Sequence, residues 1–247
     1  MALRSNNPVY NRIEKNGEYQ GFAGEMAAAT YSGVATKTLY FLALVFIGVF
    51  GGLWLMENFP TMFLTVLVGS LLTTFIFALL GLWFPRLTPV MGSLYCLGQG
   101  TIIGVVSLAF EMEAPGIVMT AMLSVVVVLA VVVTLFLTRI VRVNSGFMRF
   151  LLVFAFSFII SFFLVRLIDL IFQVGVFNTL LLPISLASTF LATLYLFFDM
   201  QRVVEIVEGG APKHLEWYVS FGLVYTLLWI YIEILRLLAI IGLRRRD

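Results

Sequence analysis

Seven stretches of this chain are apolar over about 18 residues or more, the length an α-helix needs to cross about 30 Å of hydrocarbon. They run Thr38–Met56, Thr61–Phe84, Met91–Phe110, Gly116–Thr138, Phe150–Phe172, Val176–Met200 and Phe221–Leu243. Hydrocarbon offers the backbone no hydrogen bonds, so each stretch must satisfy its own, and runs without strand-like alternation do this as helices. The seven use up most of the 247 residues, of which 62% are hydrophobic and 11% charged, leaving no room for a soluble domain. The expected fold is therefore all-α, a polytopic seven-transmembrane-helix bundle. A polar amino-terminal segment over residues 1–37 precedes a membrane domain over residues 38–247.

Lys and Arg set the expected orientation. Arg4, Arg12, Lys15 and Lys37 precede the first span, Arg86 follows the second, Arg139, Arg142 and Arg149 follow the fourth, and Arg202 and Lys213 follow the sixth. The first, third and fifth connections contain neither residue type, and the third carries Glu111 and Glu113. This pattern places the amino terminus in the cytoplasm. Seven crossings then put Arg244, Arg245 and Arg246 outside, against the same rule, unless the last segment does not fully cross. The polar start and the absence of a small-residue cleavage site argue against a removed signal peptide. Cys96 is the single cysteine and falls in the third span, which excludes an intrachain disulfide and makes it a packing residue.

Ionisable residues inside apolar spans are costly and mark candidate functional positions. Arg166 and Asp169 lie in the fifth span, Asp199 at the end of the sixth, and Glu233 and Arg236 in the seventh. Arg166/Asp169 and Glu233/Arg236 are each three apart, so each pair shares a helix face and can neutralise itself locally. Asp199 has Arg202 at the same spacing, which would suit an interfacial carboxylate anchored beside its cation.

Several motifs lie in an order that resembles the Bax inhibitor-1/YccA-like membrane proteins, in their bacterial branch. They are NNPVYNR near the start, TYSGVATKT leading into the first span, PVMGSLYCLGQGTIIGVVSLAFE in the third, and the stretch from Phe198 to Leu238. The family's FDTQ-type motif matches Phe198–Gln201, with Met200 for the usual threonine. Its final-span pattern of an aromatic followed two residues later by an acid matches Tyr231 and Glu233.

The resemblance implies a bundle with the seventh helix central, in a bacterial cytoplasmic membrane. It also implies that Asp199 and Glu233 face each other as a proton-sharing pair that senses pH and gates a calcium leak. Two carboxylates in contact at a site of low dielectric cannot comfortably both ionise. Losing the shared proton would push the sixth and seventh helices apart and free oxygen ligands of the kind calcium prefers, so both acids are also candidate calcium contacts. Arg166, Asp169, Arg202 and Arg236 are candidate ion-pair latches for such a switch. Gln99, a candidate pore-lining polar residue, stands where the family usually has a glutamate. The second span lacks the arginine that some relatives place there.

Spacing tests the pair. A sixth helix continuing through Glu208, with a tight turn at Gly209-Gly210, puts a residue near Gly222 opposite Asp199, leaving Glu233 some 15 Å too deep. An interfacial segment over Ala211–Ser220 would reduce the mismatch, with Trp217 and Tyr218 in the aromatic belt and Lys213, His214 and Glu216 on its wet side.

Enzyme signatures are missing: there is no zinc-binding His-Glu-x-x-His, no phosphate-binding loop and no cysteine–histidine pair. Gly98, Gly100 and Gly104 read as close helix packing. A net charge of +2, explained by membrane topology, gives no support to nucleic-acid binding. The expectation is a non-enzyme without cofactor: a pH-sensitive calcium leak in the lipid bilayer, with calcium as the transported or bound ion. The alternative is a non-conducting regulator that binds membrane proteases or stress-response partners.

Overall fold

The computed structural model describes residues 28–173 and 175–244. The NNPVYNR motif and most of the polar amino-terminal segment lie outside the described residues, as do Arg245 and Arg246. Seven helices follow one another: α1 Tyr31–Asn58, α2 Pro60–Trp83, α3 Thr88–Glu113, α4 Ile117–Leu137, α5 Ser145–Phe172, α6 Val176–Glu208 and α7 Leu215–Arg244. All seven are long and apolar enough to span a membrane. Their up-and-down course brings the connections rich in Lys and Arg to the end where α1 begins.

Several ends differ from the expected limits in one direction. α1 starts seven residues before Thr38, capped by Thr30, whose hydroxyl accepts from the Gly33 amide at 3.0 Å. α6 runs through Glu208 as expected and stops at a turn in which Gly210 adopts φ +64, a conformation that favours glycine. α7 starts at Leu215, so the interfacial segment expected over Ala211–Ser220 is replaced by a short turn and the first turns of α7. The turn is tied down by the Ala29 amide, which donates to the Ala211 carbonyl at 2.8 Å.

α7 is the central helix. In α7 61% of the apolar span is buried inside the protein, against 11% in α5. α1, α2, α3, α4 and α6 pack directly on α7, whereas α5 lies one helix further out, against α6. Phe221 of α7 fills the space between α1 and α3, meeting Phe41 and Tyr95 edge-on with ring centroids at 5.9 and 5.3 Å. Cys96 is fully buried in the same cluster.

α1 and α3 form the tightest seam, and glycine makes it so. A Cβ on Gly48 would strike the Leu97 carbonyl oxygen, and one on Gly100 the Val45 carbonyl oxygen. Gly104 lies against Val49, and Gly98 against Thr74 of α2. This is the close packing that small residues permit between membrane helices. Gly51, one helical turn from Gly48, has nothing within 4 Å of its Cβ position. Gly48→Ala should therefore destabilise the protein by about 1–3 kcal/mol through backbone displacement. Gly51→Ala should be neutral or stabilising by up to about 1 kcal/mol, because a helix interior prefers alanine. Thermal unfolding in detergent distinguishes them, and equal midpoints for the two variants would contradict the seam.

Candidate functional site

The polar groups that matter are strung along α7. At its first turn Glu216 is fully buried. One carboxylate oxygen accepts from the Thr30 amide at 2.8 Å and from the Thr30 hydroxyl at 3.2 Å, and the other is paired with Lys37. The Lys37 ammonium also sits 5.2 Å from the centre of the Trp217 ring. Gly33 faces the same carboxylate so closely that a Cβ would overlap it. A turn later the Ser220 hydroxyl donates to the Val34 carbonyl at 2.9 Å. Glu216 and Trp217 thus fasten α7 to the start of α1, and Glu216 is not on a wet surface as the sequence reading held. A carboxylate at the first turn of a helix is also favoured by the helix dipole.

Two turns further on comes the seam with Asp199. Asp199 lies nine residues before the end of α6 and turns towards α7. Its Oδ1 is 3.8 Å from the point a Gly222 Cβ would occupy. The Thr226 hydroxyl also faces the carboxyl group. Oδ2 is buried and has no hydrogen-bond partner. Gly222 leaves room for this carboxyl. Arg202 does not hold Asp199 as an interfacial partner: it pairs with Glu205 at 3.6 Å and lies 5.3 Å from the Phe198 ring centre.

Glu233 sits deeper. It is 5% exposed, accepts from the Arg236 guanidinium at 3.2 Å and from the Trp229 indole at 3.4 Å. Next to it, the Tyr231 hydroxyl is 2.7 Å from that of Ser107 on α3. The structure does not bring Asp199 and Glu233 together. Asp199 faces Gly222 and Thr226, and Glu233 lies about 10 Å beyond Thr226 along the helix axis. The cause is the early start of α7, which removes the interfacial segment that would have taken up the spacing.

The other candidates separate in the same way. Glu233 and Arg236 form the local pair their spacing suggests. Arg166 and Asp169 do not: the Arg166 guanidinium stacks over Phe177 at 4.3 Å, and Asp169 Oδ1 is buried with no partner. Both lie beside the first turn of α6, and Phe177 is about 33 Å along that helix from Asp199, so neither can latch the α6–α7 seam. Gln99 is half-buried on α3 and takes no part in the bonds that hold Asp199, Glu216 or Glu233.

Among the described residues no three His, Cys, Asp or Glu side chains gather at one point. A tight calcium site takes six to eight oxygens. Asp199 and Glu233 each offer a single carboxyl at separate depths, fewer oxygens than such a site needs.

The Glu216 clamp escaped the sequence reading because its partners are 179 and 186 positions away. The one local sign was an acid in the first turn of a helix whose start was placed too late.

No curated protein matches the sequence. The family model for Bax inhibitor 1 like proteins matches residues 7–242, nearly the whole chain. With seven membrane-spanning helices, the carboxy-terminal one central, the chain belongs to the Bax inhibitor 1 like family.

Proposed function

We propose that the protein is a pH-sensitive cation leak of the membrane, with calcium as the ion and Asp199 as the gating carboxyl group. The observation that carries this reading is the buried, unpartnered Asp199 Oδ2 on the seam between α6 and the central helix. A neutral acid is tolerated at such a place, whereas a carboxylate without enough donors costs several kcal/mol. Ionisation therefore favours any arrangement that parts α6 from α7 and lets water or a cation reach the oxygen. Protonation favours the packed seam. Below it, the hydroxyls of Thr226, Ser107 and Tyr231 and the carboxylate of Glu233 supply oxygen atoms at successive depths around α7, a chemistry suited to a hard cation.

Glu233 plays a different part from Asp199 in this reading. Its charge is offset by Arg236, so it contributes a fixed polar point on the path and does not share a proton with Asp199.

Purified full-length protein in liposomes loaded with a calcium-sensitive dye tests the proposal. Calcium entry, followed in a series between about pH 6 and pH 8, should be faster at the alkaline end than at the acidic end, because ionisation of Asp199 is what parts the seam. Entry no faster than in protein-free liposomes at every pH would overturn the reading.

A further inference from the structure

At the end of the bundle where α1 begins, a cleft of about 510 Å³ lies between the start of α1, the α4–α5 connection and the last turns of α6. Half-buried Phe136, Val141, Val143 and Val204 give it an apolar floor. Arg139 and Arg142 line the side of the connection, and Tyr31, Gln201 and Glu208 line the side of α1 and α6. Local bonds fix both walls. The Tyr31 hydroxyl donates to Glu208 Oε1 at 3.2 Å and so ties α1 to α6. In the connection, the Arg139 and Val141 amides donate to the Phe136 and Leu135 carbonyls at 3.1 and 3.3 Å. Val141 and Val143 pack on the core and leave Arg142 exposed between them.

The polar groups around this cleft have unused bonding capacity. Among the described residues the ion pairs are made by Lys37, Arg202 and Arg236, so neither the Arg139 nor the Arg142 guanidinium is held by a carboxylate. Glu208 Oε2 accepts no hydrogen bond among the described residues, and neither does the Gln201 carbonyl oxygen. The Gln201 amide nitrogen reaches Glu205 only at 3.4 Å. Arg139, Arg142 and Glu208 are exposed and Gln201 is half-buried, so a ligand arriving from outside meets all four.

Two helices set the depth independently. α4 has 21 residues and measures about 31 Å, close to the hydrocarbon thickness, so Leu137 ends it at the acyl boundary and the arginines follow among the headgroups. α6 has 33 residues and measures about 50 Å, so about 10 Å at each end stands beyond the hydrocarbon when it is centred. Gln201, seven residues before the end of α6, then lies at the same boundary and Glu208 at headgroup level.

We propose that this cleft binds the headgroup of an anionic phospholipid whose phosphate carries a hydroxylated substituent, the phosphoglycerol class, in the leaflet on that side. Arg139 and Arg142 hold the phosphate, whose oxygens match the guanidinium fork. The headgroup hydroxyls donate to Glu208 Oε2 and accept from the Gln201 amide, since a hydroxyl does both. Leu137, exposed at the boundary, meets the acyl chains. An ammonium in place of the hydroxyls only donates, so it leaves the Gln201 amide with its long contact alone and brings a positive charge beside two arginines. A phosphate without hydroxyls leaves Glu208 as a bare negative charge facing it.

Native mass spectrometry of the delipidated full-length protein tests the assignment. The probes are phosphatidylglycerol, phosphatidylmethanol and phosphatidylethanolamine of equal chain length, with glycerol 3-phosphate as the soluble source of the same chemistry. The wild type should bind phosphatidylglycerol about tenfold better than either other lipid, the effect of one charge-assisted hydrogen bond. Glu208→Gln should bring phosphatidylglycerol and phosphatidylmethanol to within about twofold of each other, because it weakens the bond to the hydroxyl and removes the charge that repels a bare phosphate. Arg139→Gln with Arg142→Gln should weaken phosphatidylglycerol at least about tenfold. These three side chains are exposed, and unchanged unfolding midpoints would show that the variants fold. Phosphatidylethanolamine or phosphatidylmethanol binding as well as phosphatidylglycerol to the wild type would overturn the proposal. So would a glycerol preference that survives Glu208→Gln, undiminished binding in the double arginine variant, or displacement of the lipid by an equal concentration of glycerol 3-phosphate.

Discussion

Lys37→Met should destabilise the protein by about 3 kcal/mol, the lower end of what breaking a buried ion pair costs. Glu216 has no side-chain exposure, and Lys37 only 13%, so the remaining carboxylate would be an enclosed charge held by Thr30 alone. The lower end applies because Lys37 keeps that contact with the outside. Adding Glu216→Met should not restore stability, since it leaves the Thr30 amide without an acceptor, a loss of about 1–3 kcal/mol in itself. The pair deeper in α7 behaves differently. Arg236→Leu with Glu233→Leu removes both charges and strips only a weak indole contact, so most of the stability lost in Arg236→Leu should return. Unfolding midpoints of these variants in detergent check the contrast, and full recovery in the Lys37/Glu216 double variant would contradict the clamp.

That contrast also marks how far the sequence could be read. The spans were legible because an unbroken apolar run has one stable conformation in hydrocarbon. The Glu233/Arg236 pair was legible because three residues on a helix is a fixed distance. The turn at Gly209-Gly210 was legible because the left-handed conformation that ends a helix favours glycine. Helix starts were not, since an ionisable residue reads locally as polar boundary. Glu216 is a boundary residue by type, yet a lysine from the far end of the chain neutralises it and lets α7 begin six residues early. That early start moved the residue opposite Asp199 to Gly222 and Thr226 and separated it from Glu233. Arg166 and Asp169 failed as a pair for a related reason: the competing partner, Phe177, lies on the next helix.

Asp199→Asn should abolish the pH response of calcium entry while leaving the fold intact. The amide is close to the carboxyl in size, so the fit against Gly222 and Thr226 is retained. It remains neutral at every pH in the measured range, as the protonated acid is, and the α6–α7 seam should stay packed. The largest effect is expected at the alkaline end, where the wild type carries a carboxylate that this packing leaves without enough donors. Glu233→Gln should act on another property. It changes the amplitude of entry by altering a polar point on the path, and the profile against pH keeps its shape because Asp199 is left in place.

Calcium entry into dye-loaded liposomes between about pH 6 and pH 8, measured side by side for the wild type, Asp199→Asn and Glu233→Gln, tests the central claim most directly. The account predicts a rising curve for the wild type, a flat and low one for Asp199→Asn, and a rescaled but still rising one for Glu233→Gln. A wild-type curve that persists in Asp199→Asn would contradict it.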